Sequence, residues 1–238
     1  MKSQYALPIT IVLAGALIAG AVFLVGQSGG TGGGEATDEP TVRAVDPTTD
    51  YILGNPNAPV MIVEYADLEC QFCKEFHTTM HQVMEYYGEG GQVAWTFRHF
   101  PLVQLHPKSA QEAEAAECAA EQGGSEAFFR YIDRVYQVTP SNNGLDLAQL
   151  PVIAGEVGLD TAQFTTCLDS GKYRDKVSAS YSEALEAGGR GTPYTLILVN
   201  GELVEGGALG GAQPYDSMRA IVDTVLQQLS GAPLLQTQ

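Results

Sequence analysis

Cys70 and Cys73 lie three residues apart, at a point where a predicted strand gives way to a predicted helix. The strand, residues 60–65, is an almost unbroken apolar run, which is typical of a central strand covered on both faces. The helix, residues 70–87, carries apolar side chains at helical spacing from Phe72 onwards. The i, i+3 spacing at its start places both sulfurs on one face, close enough to bridge. The chain must therefore fold so that a buried strand ends beside a pair of sulfurs.

The other predicted elements place this junction in an α/β fold with a helical insertion. Strands are predicted at residues 60–65, 92–98, 194–199 and 202–206, and helices at residues 70–87, 107–122, 126–137, 147–157, 161–168, 173–187 and 214–229, with Ser125, Asp146 and Asp160 as N-caps. The first strand, helix and strand form a βαβ unit with parallel strands. Asn200-Gly201 predicts a hairpin, and Pro151 predicts a kink or a late helix start. The insertion covers about residues 105–188.

The N-terminus predicts a membrane segment. Residues 5–25 contain no charged side chain and are just long enough to cross about 30 Å of hydrocarbon as a helix. Lys2, in the short segment 1–4, favours a cytoplasmic N-terminus, a single-pass anchor in the inner membrane and a periplasmic domain. The alternatives are a cleaved signal, with Ala19 and Ala21 at its site and a secreted product, and a buried core helix. Anchor and signal both place the domain where disulfides persist.

Composition limits the domain plan and the partners. Residues 26–45 are rich in glycine and predict a flexible linker, followed by one folded domain at residues 46–231 and a tail at residues 232–238. The 28 Asp plus Glu against 12 Lys plus Arg give a formal net charge of -16. Such a charge repels nucleic acid and anionic lipid, so nucleic acid is not an expected partner.

Cys70 is predicted to be the more reactive sulfur. At a helix N-terminus it lies near unsatisfied backbone N–H groups and the positive end of the helix dipole, which favour the thiolate. Cys73, one turn further, is predicted to be less exposed. Glu64 interrupts the apolar strand, where a carboxylate is costly to bury. We interpret it as a partly buried group that moves protons near the second cysteine; a sheet-edge position or a lysine partner is the alternative.

Two other uses of the cysteine pair compete with redox chemistry. A structural zinc site normally takes four ligands, usually two Cys-x-x-Cys pairs or one such pair with two histidines. The sequence has no second Cys-x-x-Cys, and His77 and His81 lie on the same helix as Cys73. A purely structural disulfide would close so small a loop that it stabilises little. We therefore expect a redox-active dithiol, without metal or cofactor.

Pro193 supports that hypothesis because it stands immediately before a predicted strand. A proline removes one donor from the sheet and belongs at a strand start. If the bond between Thr192 and Pro193 is cis, Thr192 can offer its backbone to an extended peptide that lies against Cys70. The isomer cannot be read from the local sequence, since few X–Pro bonds are cis.

Four segments, taken in this order along the chain, form a recognisable pattern: LGNPNAPVMIVEYADLECQFC, FRHFPLVQLHPKSAQEAEAAECA, GTPYTLILVNG and GGAQPYDSM. In these segments the sequence resembles the thioredoxin-fold thiol-disulfide oxidoreductases of the DsbA-like, membrane-tethered branch. The resemblance covers about residues 46–230. It implies a thioredoxin fold with an inserted helical subdomain, preceded by a transmembrane helix.

The resemblance also implies roles for individual residues. Cys70 would be the nucleophile, Cys73 the resolving cysteine and Glu64 the buried proton-transfer carboxylate. Pro193 would be cis, and Thr192 would contact substrate.

The dipeptide between the cysteines departs from the family. It is Gln71-Phe72 here, both residues being candidates for substrate contact, whereas the strongest oxidant of the family has Pro-His. A histidine there can stabilise the thiolate, and Gln71 and Phe72 carry no charge. We therefore expect a less extreme thiolate and a redox potential nearer the middle of the family range.

Cys118 and Cys167 complete the four cysteines, and both fall in the helical insertion. An even number of cysteines in an oxidising compartment favours a disulfide between them, and some DsbA-like proteins carry such a bridge. The alternative is two buried thiols that act as small apolar side chains.

The function predicted from the sequence is an extracytoplasmic enzyme that transfers the Cys70–Cys73 disulfide to reduced or unfolded client proteins. A redox partner in the membrane would regenerate the disulfide. One alternative is the same fold acting as a reductase or isomerase, since the sequence does not fix the direction of electron flow. The other is a non-catalytic binding module with a structural disulfide.

Overall fold

The computed structural model of the chain describes residues 41–231. The strands are β1 (Tyr51–Gly54), β2 (Val60–Ala66), β3 (Val93–His99), β4 (Tyr194–Val199) and β5 (Glu202–Gly210), and the helices are α1 (Gln71–Tyr87), α2 (Ser109–Val138), α3 (Leu150–Glu156), α4 (Thr161–Ser170), α5 (Arg174–Glu186) and α6 (Tyr215–Ser230). The predicted membrane segment 5–25, most of the linker and the tail 232–238 lie outside the described residues. Between residues 41 and 231, no helix combines the length and the apolar character of a membrane span.

The five strands form one mixed sheet in the order β1-β3-β2-β4-β5. β2 and β3 are parallel and connected by α1, which confirms the predicted βαβ unit. β4 pairs antiparallel with β2, and β5 with β4, through a hairpin whose Asn200 and Gly201 both have positive φ, as the predicted turn requires. The sequence pattern does not predict β1, a four-residue strand paired with β3 at the edge of the sheet.

Helices cover both faces of the sheet. On one face, Phe76 of α1, Phe128 of α2 and Met218 of α6 belong to the same apolar core as Trp95 of β3. On the other face, Ala184 of α5 joins a second core. All seven residues of β2 are buried, which confirms the prediction of a central strand. Because β2 is buried along its whole length, the position of its last residue, Ala66, is fixed by the core, and Cys70 follows four residues later.

The helical insertion lies between β3 and β4, as predicted. Helix α2 is broken at Gly123 and Gly124, whose backbone angles are not helical, so its two halves correspond to two predicted helices. The predicted cap at Ser125 is wrong: its hydroxyl accepts the backbone N–H of Ile52 in β1, at 3.0 Å. Asp160 does cap α4, since its carboxylate accepts two backbone N–H groups of the first turn.

A short 3₁₀ turn, Leu147–Gln149, precedes α3. Asp146 caps this turn through the backbone N–H of Ala148, at 3.0 Å. Pro151 then occupies the first turn of α3. Backbone N–H groups of a first turn have no partner within the helix, so the N–H that proline lacks costs no hydrogen bond there. This is the late helix start that the sequence predicts.

A disulfide joins two helices of the insertion. Cys118 of α2 and Cys167 of α4 are bonded, with an S–S distance of 2.00 Å. The bridge closes a loop over a sequence separation of 49 residues. It ties the first half of the broken helix to a segment far along the chain.

A partly buried ionic cluster holds the residues before β1 to the sheet. Arg98 of β3 pairs with Asp50 at 2.9 Å and with Glu183 of α5 at 2.7 Å. Arg43 pairs with the same two carboxylates, each at 2.7 Å. Residues 41–45, the end of the predicted linker, therefore contact the domain.

Candidate active site

The sheet register brings Pro193 to the strand end that precedes the dithiol. Tyr194, the first residue of β4, pairs with Tyr65 near the end of β2. The peptide bond between Thr192 and Pro193 is cis. The thiol of Cys70 donates to the carbonyl oxygen of Thr192, with 3.6 Å between sulfur and oxygen. Two segments 122 residues apart in sequence thus form one site.

The helix start determines how differently the two sulfurs are placed. Cys70 is the N-cap of α1, with extended backbone angles, and Cys73 lies in the first turn. The carbonyl of Cys70 accepts the N–H of Lys74, at 3.0 Å, which is the first bond of the helix. Cys70 is 6% exposed and Cys73 is 0% exposed. A second reactant can therefore approach only the first sulfur.

Electrostatics separates the two thiols further. The hydrogen bond from the Cys73 thiol, aided by Thr192 and by backbone N–H groups at the helix start, lowers the pKa of Cys70 to about 6, although burial opposes this. Burial raises the pKa of Cys73 well above its ordinary value, and the neighbouring Cys70 and Glu64 add to the rise. The hydroxyl of Thr192 has no other partner among the described residues and is available to the thiolate. The arrangement supplies one thiolate and one protonated thiol.

We expect the reduced protein to show a thiolate transition near pH 6. Because the folded pKa of Cys70 lies below its ordinary value of 9.0, ionisation stabilises the reduced fold fully above about pH 9, and this stabilisation is lost as the pH falls through about 6. The thiolate absorbance near 240 nm measures the transition during a pH titration. The Cys70→Ser variant is the control and should lack it. A transition near pH 9 in the unmodified protein would contradict the expectation.

Glu64 faces the same core as the dithiol and is completely buried. Its two oxygens accept no hydrogen bond from any residue between 41 and 231. Burial raises the pKa of Glu64 to about 8, and the charge of Cys70 adds to the rise. The predicted alternatives, a sheet edge or a lysine partner, are not what the structure shows. At neutral pH Glu64 is a protonated acid close to Cys73.

The sequence pattern does not predict the part played by two buried acids beside the dithiol, Asp67 and Glu69. Asp67 accepts the backbone N–H of Leu102 at 2.8 Å and shares a hydrogen bond with Nδ1 of His106 at 3.0 Å. Its own backbone N–H donates to the sulfur of Cys73, at 3.5 Å. Asp67 therefore fixes the loop between β3 and α2 against Cys73.

Glu69, directly before Cys70, is also buried. Its carboxylate accepts the backbone N–H groups of Asn143, Gly144 at 3.2 Å and Leu145 at 3.3 Å. Burial, together with the neighbouring Glu69, raises the pKa of Glu112 to about 10. Glu112 is therefore protonated at neutral pH, which relieves the repulsion between the two carboxyl groups.

Three consecutive residues in left-handed conformation form the turn that Glu69 holds. Ser141, Asn142 and Asn143 have φ values of 63°, 52° and 68°. The amide of Asn142 donates to the side-chain oxygen of Gln71, at 3.0 Å. Asparagine tolerates this conformation better than most residues, so the pair Asn142-Asn143 is the sequence feature from which this turn could be predicted. The turn fixes the first of the two residues between the cysteines.

Phe72, the second of these residues, is 51% exposed. Helical spacing predicts Phe72 on the apolar face of α1, and this prediction is wrong: in the first turn the buried residue is its neighbour Cys73. Val103 and Leu105 are also exposed apolar residues, in the loop that Asp67 and Asn143 hold to the dithiol segment. Apolar surface therefore flanks the reactive sulfur.

His77 and His81 do not turn toward the cysteines. The Nε2 atoms of both rings contact Asp133 of α2. Among the described residues these three side chains form a group whose ligand atoms lie within 4.8 Å of one another, and neither Cys70 nor Cys73 belongs to it.

Comparison with solved structures places the chain among known folds. A family model described as thioredoxin matches residues 46–224. The crystal structure of Wolbachia pipientis alpha-DsbA1 is 26% identical, with a TM-score of 0.66, and the match covers 79% of this chain and 95% of that one. BdbD from Bacillus subtilis is 17% identical, with a TM-score of 0.65 and coverages of 79% and 99%, and shows the same fold.

Among characterised sequences, the chain is similar to part of a sodium/proton antiporter. The NhaA 1 antiporter of Mycobacterium sp. strain KMS is 36% identical over 123 residues, which are 52% of this chain and 19% of the antiporter. The match thus spans about a fifth of the length of that relative.

Proposed function

The chain belongs to the thioredoxin family and is a DsbA-like protein disulfide oxidoreductase, and from this premise we propose that it transfers the Cys70–Cys73 disulfide to client proteins outside the cytoplasm. The observation that carries the proposal is the difference between the two sulfurs. One is reachable and stabilised as a thiolate, and the other is buried and held as a thiol. The match to the antiporter covers only 19% of that protein, and we propose no transport activity from it.

The transfer takes two exchange steps. A client thiolate attacks the sulfur of Cys70, which forms a mixed disulfide and releases Cys73 as a thiolate. Glu64 donates its proton to Cys73. A second client thiolate then attacks the client sulfur of the mixed disulfide and releases Cys70 as a thiolate. The client loses two electrons and gains a disulfide. The enzyme ends reduced, with Cys70 as a thiolate, Cys73 as a thiol and Glu64 as a carboxylate that regains its proton from water.

The groups around Cys70 position the client. The carbonyl of Thr192 bonds to the Cys70 thiol in the free protein, and an extended client chain beside Pro193 can use the same edge. The exposed apolar side chains of Phe72, Val103 and Leu105 suit the apolar segments that an unfolded chain exposes.

Trapping of mixed disulfides tests the proposal. In the Cys73→Ser variant the serine hydroxyl can still donate to Cys70, but it cannot resolve a mixed disulfide. We expect this variant, expressed in cells, to accumulate client proteins bound through Cys70 and released by reductant. The matched control is the Cys70→Ser variant, which should capture none. A folded Cys73→Ser protein that captures no client would overturn the proposal.

The low pKa of Cys70 favours the oxidant over the reductase. Stabilising the thiolate stabilises the reduced enzyme, which makes the disulfide a stronger electron acceptor. We expect a redox potential on the order of −200 mV, between the roughly −270 mV of thioredoxin and the roughly −120 mV of the strongest oxidant in the DsbA family. Equilibration with glutathione measures it. A potential at either end of this range would contradict the expectation.

We expect the Glu64→Gln variant to exchange disulfides about 100-fold more slowly at pH 7, since proton donors of this kind contribute roughly 10² to 10⁴. Because the pKa of Glu64 is raised to about 8, the acid contributes below that pH, and its contribution is lost as the pH rises through it. The pH profile of exchange should therefore lose its inflection near 8 in the variant.

The Glu112→Gln variant is the matched control for Glu64→Gln. It removes another buried acid with a raised pKa, which lies beside Glu69 rather than at the resolving cysteine. It should leave the inflection near pH 8 in place. An identical pH profile in Glu64→Gln and the unmodified protein would contradict the role of Glu64.

The extracytoplasmic location is part of the proposal. The uncharged run 5–25 supports a membrane anchor, and the Cys118–Cys167 disulfide supports an oxidising compartment. A membrane partner that accepts electrons would regenerate the disulfide. Membrane fractionation of bacterial cells, combined with protease added from the outside, tests the location. A chain found in the cytosolic fraction and protected from protease would contradict it.

A further inference from the structure

His77, His81 and Asp133 converge on one point, although they come from two helices. The two histidines lie four residues apart on α1, so their side chains share one helix face. Nε2 of His77 and Nε2 of His81 lie 2.7 Å and 2.8 Å from the same oxygen, Oδ1 of Asp133 in α2. The two nitrogens are 3.2 Å apart.

Hydrogen bonds cannot satisfy all three contacts at once. Each contact with Asp133 needs a proton on the Nε2 concerned, whereas the contact between the rings needs a proton on one Nε2 and a lone pair on the other. Every arrangement of protons therefore leaves one short contact without a bond. A cation between them satisfies all three, because each imidazole then presents a lone pair and Asp133 a negatively charged oxygen.

The group is both held in place and accessible. His77 is 5% exposed, and its ring packs against Trp95 and Tyr136, with centroids 5.3 Å and 4.6 Å away. The side chains of His81 and Asp133 are 40% and 31% exposed. They line a cavity of about 410 Å³ through which an ion can enter.

A lysine beside the cavity does not occupy the point of convergence. Lys74 also lines the cavity, but its ammonium donates to the backbone carbonyl of Thr139, at 2.7 Å. The positive charge is thereby held at a carbonyl of the residue that follows α2. Asp133 remains the charged partner of both imidazoles.

We propose that His77, His81 and Asp133 bind a divalent transition-metal ion, with Zn²⁺ as the best fit. Two imidazoles and one carboxylate form a donor set that zinc takes in proteins, with water at the remaining position. Bonds of about 2.0–2.2 Å at tetrahedral angles place ligand atoms about 3.3 Å apart. The two nitrogens already have this separation. Oδ1 of Asp133 now lies 2.7 Å and 2.8 Å from the two nitrogens, and the half-exposed carboxylate reaches the separation of about 3.3 Å by moving about half an ångström.

The ion would join the helix that carries the dithiol to the helical insertion. His77 lies one turn after Cys73 on α1, and Asp133 belongs to the second half of α2. An ion that binds the folded state alone stabilises it in proportion to its occupancy. Zinc would therefore hold α2 against α1 without taking part in disulfide exchange.

Calorimetric titration of Zn²⁺ into the untagged full-length chain in detergent tests the proposal. The Cys70–Cys73 pair is kept oxidised, so that neither thiolate competes for the metal. We expect one ion per chain, a higher melting temperature with zinc, and the visible absorption of tetrahedral Co²⁺ when cobalt replaces zinc. No stoichiometric binding to the unmodified chain would overturn the proposal.

Variants identify the ligands. His81→Ala and Asp133→Asn change half-exposed side chains and should each weaken binding at least about 100-fold, since even the partners of ligands contribute 10- to 100-fold. Glu126→Gln removes an exposed carboxylate from the same helix α2 and should bind zinc unchanged. Equal binding by all three variants would overturn the assignment, as would loss of binding in Glu126→Gln. If a variant fails to fold, the stoichiometry and cobalt spectrum of the unmodified chain still decide whether this site exists.

Discussion

Replacing Cys70 with serine is expected to abolish disulfide transfer and to leave a protein whose remaining dithiol sulfur hardly reacts. A serine oxygen cannot form the mixed disulfide. Cys73, the sulfur left behind, is completely buried, and burial raises its pKa well above the ordinary value. Cys73→Ser, by contrast, keeps the reactive sulfur of Cys70. The two single substitutions should therefore differ widely in reactivity, although each removes one sulfur from the same pair.

Alkylation by iodoacetamide at pH 7 measures that difference directly. With a pKa of about 6, about nine-tenths of Cys70 is thiolate at pH 7, whereas a cysteine of ordinary pKa is only a few per cent thiolate. Since Cys73 is also buried, we expect the single dithiol cysteine of Cys73→Ser to react at least about 100-fold faster than that of Cys70→Ser. Cys118 and Cys167 are bridged and do not contribute.

Equal alkylation rates in the two variants would contradict the assignment of Cys70 as the nucleophile. A rate in Cys73→Ser that stays constant between pH 5 and 9 would contradict the low pKa. Circular dichroism of both variants shows whether each is folded, so that exposure by unfolding is not mistaken for reactivity.

The parts of the site that lie close together in sequence could be predicted from it. A buried strand, a Cys-x-x-Cys and an amphipathic helix are local patterns, and they fix Cys70 as an N-cap and Cys73 in the first turn. Glu64 could be singled out because a carboxylate breaks an apolar run. Pro193 could be placed at a strand start, and the sheet register then carries it to Cys70.

The parts that depend on distant contacts could not be predicted. Glu69 looks like an ordinary polar residue of the helix start until the backbone N–H groups after Asn142 are placed against it. His81 pairs with Asp133 only because α2 packs across α1, and nothing in the i, i+4 histidine spacing indicates that partner. Ser125 has a residue type typical of an N-cap, but the edge strand β1 offers its hydroxyl a backbone donor instead.

The largest expected effect on stability comes from the Cys118–Cys167 bridge. A cross-link stabilises mainly by restricting the unfolded chain, and closing a loop of about 50 residues contributes roughly 4 kcal/mol in the chain-entropy model. For a domain of this size, that corresponds to a fall in melting temperature of roughly 8–16 °C when the bridge is opened. Cys70 and Cys73 are so close in sequence that their bridge restricts the unfolded chain far less.

The Cys70→Ser/Cys73→Ser variant isolates this contribution, because Cys118–Cys167 is then the only possible disulfide. Unfolding in urea with and without reductant compares the bridged and open forms of one sequence, so no side chain is deleted and no cavity is created. We expect the reduced form to be less stable by about 4 kcal/mol. A loss below about 1 kcal/mol would contradict the expectation. It would mean that contacts between the α2 and α4 segments persist in the reduced, unfolded chain and already restrict it as much as the bridge does.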